Sequence, residues 1–147
     1  MGLRKYNGKL GQFEYDSSQF KIVKESKSNT EYLKYIGKVN DGTKIMIPNG
    51  IVDCYRMFDG SSIYSMPDIP VSVRYAAKMF RKCSNLSAVK AIPETIKGYR
   101  DMFSGCKKSV QNDAQKIFDM SGRGCDTLME NVRQGENEAF DVWLKML

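Results

Sequence analysis

The sequence predicts an α+β fold in a single 147-residue domain: a short solenoid of three 22–23-residue repeats (residues 47–110), an N-terminal β cap (1–46) and a C-terminal helical cap (111–147). Three observations predict it. Met57-Phe58, Met79-Phe80 and Met102-Phe103 recur at spacings of 22 and 23 residues. Ile-Pro stands ten residues before each Met, at Ile47-Pro48, Ile69-Pro70 and Ile92-Pro93. The flanks change character, from alternating short apolar runs before the repeats to helical spacing after them.

The N-terminal cap reads as strands and turns. Residues 9–15 alternate, with Leu10, Phe13 and Tyr15 as the large members, and Asp16-Ser17-Ser18 signals a turn. Phe20, Ile22 and Val23 suit a returning strand, and residues 25–30 a polar loop. Residues 32–39 suit a third strand, closed by the hairpin-type turn Asn40-Asp41-Gly42-Thr43 into residues 44–47.

Within each repeat a β-branched aliphatic (Ile51, Val73, Ile96) lies six residues before the Met, and Ser61, Cys83 or Cys106 four residues after it. Proline lacks an N–H and suits a strand end or turn. The aliphatic and the Met-Phe pair face one core that a single unit is too small to bury, so neighbouring units must stack. Cys83 over Cys106, with Ser61 beyond, then forms one interior ladder, its two thiols reduced. In the C-terminal cap, residues 113–120 suit a short helix around Ile117 and Phe118, and residues 121–124 break it. Residues 126–133 and 136–147 again have helical spacing, through Leu128, Met129 and Val132, then Phe140, Trp143 and Leu144.

The runs Met57-Phe58-Asp59-Gly60-Ser61, Met79-Phe80-Arg81-Lys82-Cys83 and Met102-Phe103-Ser104-Gly105-Cys106, each with its upstream Ile-Pro, resemble the MF-x-x-C repeats of BspA-like bacterial leucine-rich-repeat proteins. The resemblance covers residues 45–110. It implies a leucine-rich-repeat-like solenoid and a binding surface rather than a reaction. The opening run, residues 3–11, resembles the start of short repeat proteins carried by mobile elements of gut Firmicutes.

Composition narrows the function. There is no histidine, so the commonest general base is missing, and no nucleotide-binding or nucleophile-elbow motif occurs. No catalytic residue and no cofactor are therefore assigned. Cys54, Cys83, Cys106 and Cys125 form no CxxC pair, and their wide gaps do not suit a zinc site, so no metal is assigned. Gly122-Arg123-Gly124-Cys125 invites a phosphate-binding or redox reading, but reads first as a plain turn between helices. No apolar run is long enough for a membrane span or a secretory signal, and the expected location is cytoplasmic.

The net charge is +6, but residues 71–110 hold nine basic and only two acidic residues. A basic segment of that kind implies an acidic protein surface, a protein–nucleic-acid complex or nucleic acid as partner. Counting back from each Met puts Val52, Arg74 and Lys97 at one position and Arg56, Lys78 and Asp101 at another. The candidate partner-binding residues are Arg56, Arg74, Tyr75, Lys78, Arg81, Lys82, Lys97, Tyr99 and Arg100, because Tyr and Arg are favoured interface anchors. The expected function is a non-catalytic protein-binding module using a basic solenoid face. An anti-CRISPR-like inhibitor of a host nuclease complex, encoded by a phage or mobile element, fits the size and charge. The alternative is a nucleic-acid-binding accessory protein.

Overall fold

A computed structural model describes residues 2–123 and residue 128 of the chain. Its regular elements are β1 (Leu3–Gly8), β2 (Gly11–Asp16), β3 (Phe20–Lys24), β4 (Glu31–Tyr35) and α1 (Lys108–Met120). β1 pairs only with β2 and β3 only with β4, giving two separate antiparallel sheets of two strands each.

The first hairpin turns at Lys9-Leu10, with Gly8 opposite Gly11. Gly11 has φ +116°, and a Cβ there would lie 2.4 Å from the carbonyl oxygen of Gly50, so only glycine lets the hairpin close on the next segment. The Leu10 carbonyl accepts the amide of Val52 at 2.6 Å, which fastens the hairpin to the start of the middle segment. In the second hairpin Phe20, Leu33 and Tyr35 are buried, and the Tyr35 amide donates to Met57 O at 2.9 Å. Tyr32 turns the other way and meets Tyr55 edge-on at 5.7 Å.

The structure corrects the expected leucine-rich-repeat-like solenoid. Among the described residues no strand or helix forms between β4 and α1. There are only turns and isolated bridges, including the parallel pairs Asp53–Tyr75 and Tyr75–Gly98. The cause is local. Arg56, Lys78 and Asp101 have φ of +53°, +57° and +56°, left-handed conformations that end any extended run just before each Met. Three turn segments therefore take the place of the stacked strand units that the spacing implied.

Those turn segments still share one core. Met57, Met79 and Met102, the three following phenylalanines, and Ile51, Val73 and Ile96 are all buried. Phe80 lies between Phe58 and Phe103 at centroid distances of 5.4 and 5.5 Å, nearly parallel to both. Phe20 closes one end of this row edge-on against Phe58. α1 packs Val110, Ala114 and Phe118, one helical face, into the same core.

The flanks also depart from the sequence reading. β1 is an extra strand, and the strand starting at Phe20 pairs with β4 rather than returning against β2. Residues 44–47 form no strand. α1 begins at Lys108, five residues earlier than residue 113, although Lys107 makes no side-chain cap and the first turn holds no acid. Packing rather than capping therefore holds that end. The helices expected over residues 126–133 and 136–147 lie outside the described residues.

Candidate partner-binding face

Folding divides the nine candidate residues into two groups. Arg56, Lys78 and Arg81 belong to an internal charged network. The Arg56 Nε is 3.4 Å from Glu25 Oε1 and 3.7 Å from Asp59 Oδ2, and its guanidinium lies over the Tyr55 ring at 5.5 Å. Arg81 Nη1 reaches the same Asp59 oxygen at 3.1 Å. Lys78 is half-buried beside them. Burial, and then the neighbouring charges of Arg56 and Arg81, hold its ammonium below the usual lysine range.

Three acids answer these cations. Burial raises the Glu25 carboxyl, but hydrogen bonds from Tyr55 and Ser28 and the charge of Arg56 outweigh it, leaving the carboxyl below its ordinary value. Asp59 is shared by the two arginines. Asp101 is buried and accepts the Ser104 hydroxyl at 2.8 Å, and burial pushes its carboxyl up. Tyr99 is likewise committed inward. Its hydroxyl donates to Arg123 O at 2.7 Å, and its ring meets Phe118 at 4.4 Å.

The second group faces outward. Arg74, Tyr75, Lys82, Lys97 and Arg100 are exposed. Tyr75, Lys97 and Arg100 rim an open depression of about 500 Å³ whose other walls include Asp53, Tyr55 and Tyr99. Arg74 and Lys97 are backbone neighbours, since the Lys97 amide donates to Arg74 O at 2.8 Å. The Arg74 guanidinium is steadied by the carbonyl of Val71 at 2.8 Å, and no carboxylate among the described residues pairs with Arg74 or Lys97. Tyr75 is 52% exposed. Its ring lies against Gly98, where a Cβ would come within 2.9 Å of Cδ1, so glycine leaves room for the ring.

Two residues important to the face were not singled out from the sequence. Glu25 neutralises Arg56 across 31 positions of chain, a pairing that only the fold creates. Asp53 accepts the amide of Tyr55 at 2.9 Å and stands on the edge of the depression. The first residue types of the Gly122-Arg123-Gly124-Cys125 run have structural work. Arg123 lies 4.3 Å over Phe118 and donates to Pro93 O and Ile96 O at 2.9 and 3.2 Å, while Gly122 takes φ +74° at the end of α1.

The described cysteines are free and buried. Cys83 and Cys106 point their sulfurs at the carbonyls of Phe58 and Phe80, at 3.0 and 3.1 Å. Burial pushes the Cys54 and Cys83 thiols up and takes Cys106 to about 11, so at neutral pH these groups are poor nucleophiles. Among the described residues no cluster of His, Cys, Asp and Glu is placed to hold a metal ion, and no helix is long and apolar enough to cross a membrane. Comparison with known proteins gives no match to a family model, a curated protein or a solved structure.

Proposed function

We propose that this chain is a non-catalytic protein-binding module whose working surface is the exposed basic face around Tyr75, and that it acts by occupying an acidic surface of a host complex. The observation that carries the reading is the Arg74–Lys97 pair: two cations on bonded neighbouring segments, without carboxylate partners among the described residues, beside a half-exposed tyrosine. Like charges on neighbouring segments repel each other, and an acidic partner relieves the repulsion. Tyr75 adds a large, stiff contact of the kind that dominates interfaces. The size and charge that fit an anti-CRISPR-like inhibitor favour a nuclease complex as the target. The described thiols, all buried, and the absence of histidine favour binding over chemistry.

The test is capture from host lysate by the immobilised parent and by the double variant Arg74→Glu/Lys97→Glu, each with and without nuclease treatment. The reading expects a protein retained after nuclease by the parent and lost by the variant. Capture that disappears with nuclease overturns it in favour of a nucleic-acid-binding accessory role. Capture unchanged in the variant removes the basic face from the function.

A further inference from the structure

Resting on that reading, we infer that the basic face is one half of a bipolar groove that accepts an extended polypeptide carrying an acidic and a basic side chain about three residues apart, the basic one seated on Asp53. Asp53 lines two depressions at once. One is the depression of Tyr75, Lys97 and Arg100. The other, of about 690 Å³, lies between the two hairpins and includes Tyr6, Asn7, Lys9, Asn29 and Glu31. Asp53 is thus common to the walls of both.

Among the covered carboxylates of the described residues, Asp53 has neither an arginine nor a hydroxyl as partner. Glu25 and Asp59 have arginines, and Asp101 has the Ser104 hydroxyl. Asp53 is partly buried and accepts only the Tyr55 amide in hydrogen bonding, with no cation within ion-pair distance among the described residues. Lys9, which lines the same depression, does not reach it. Taking a carboxylate partly out of water without a counter-charge is costly, and burial accordingly raises this group. An ammonium or guanidinium brought by a partner removes that cost.

The spacing follows from the bridges. Asp53, Tyr75 and Gly98 are successive parallel neighbours, and Lys97 precedes Gly98. Two inter-segment steps of ~4.8 Å set the backbones of Asp53 and Gly98 roughly 10 Å apart, a span an extended chain covers in about three residues. On the middle segment lies the half-exposed Tyr75 ring, a floor for an apolar or small residue. A nucleic-acid strand crossing the same path would set a phosphate against Asp53, so the groove selects polypeptide over polyanion.

The experiment uses fluorescence anisotropy at low salt with three labelled probes: a peptide of three Glu-Gly-Ser-Arg units, a peptide of three Glu-Gly-Ser-Glu units, and a 12-nucleotide oligothymidylate. The parent is expected to bind the mixed peptide about tenfold tighter than either polyanion. Asp53→Asn, which keeps an acceptor for the Tyr55 amide, is expected to erase that preference while binding of the acidic peptide holds or tightens. Asp53→Ser, with a different acceptor, should do the same if Asp53→Asn folds poorly. The inference is overturned if a polyanion is the best ligand of the parent, or if both Asp53 variants leave the mixed peptide unaffected. Arg74→Glu/Lys97→Glu separates the two claims. If it weakens both peptides while the Asp53 variants are silent, only the bipolar groove fails. If it changes none of the three probes, the basic face itself fails.

Discussion

Replacing Phe80 by Ala tests the packing that holds the three turn segments together. Phe80 is fully buried, with ring faces against Phe58 at 5.4 Å and Phe103 at 5.5 Å. Truncating a buried phenylalanine costs ~3–5 kcal/mol through lost transfer energy and the cavity left behind. Each aromatic contact is worth ~0.5–1.5 kcal/mol beyond area, and this ring makes two, which places the expected loss near the top of that range. Against a total stability of ~5–15 kcal/mol, the variant should be marginal at 37 °C. Phe80→Leu keeps much of the volume and loses mainly the stacking, so about 1–2 kcal/mol is expected. Urea unfolding followed by circular dichroism gives both values, with the slope checked for two-state behaviour. A loss under ~1.5 kcal/mol for Phe80→Ala, or equal losses for Ala and Leu, would refute the stacked-ring account.

Three further outcomes follow from the same geometry. Cys54, Cys83 and Cys106 should resist iodoacetamide at pH 7 in the native state and react in denaturant; mass spectrometry showing prompt native modification of all three contradicts their burial. The Arg81–Asp59 pair, at 3.1 Å with both side chains mostly covered, should show a coupling of about 1 kcal/mol in a double-mutant cycle; zero coupling means solvent screens it completely. Asp101→Asn should stabilise the protein at pH 7, because burial raises the Asp101 carboxyl and Asn tolerates φ +56°. A carboxyl raised on folding binds its proton more tightly in the native state, so its penalty is full above the folded pKa and shrinks as pH falls through it toward the unfolded value. The advantage of Asn over Asp should therefore narrow on acidification, and thermal melts from pH 7 to 4 that show it widening would reverse the assignment.

The apolar register was legible because burial repeats with the spacing: each Met-Phe pair and each aliphatic before it lies in the core. The backbone between them was not. Left-handed φ at Arg56 and Lys78 carries no residue-type signal, since glycine and asparagine are its usual markers, and those two residues with Asp101 turn expected strand units into turns. β1 was missed because most of its residues are polar and exposed, so it shows no buried alternation. The start of α1 was hidden because Lys107 and Lys108 oppose the helix dipole where acids would announce it.

Charge was the least legible property, for a reason specific to this fold. Residues 71–110 hold nine basic residues against two acids, yet the acids that neutralise Arg56 and Arg81 are Glu25 and Asp59, both outside that stretch. A count along the chain therefore overstates the field the surface presents. Once Arg56, Lys78 and Arg81 are turned inward, the proposed face keeps Arg74 and Lys97, and Lys97 shares a depression with Asp53, an arrangement with a direction as well as a sign. A uniform basic patch would take any polyanion, with affinity set mainly by salt. A face that alternates sign over roughly 10 Å discriminates by the order of charges on its ligand, which protein sequences vary and phosphate backbones do not.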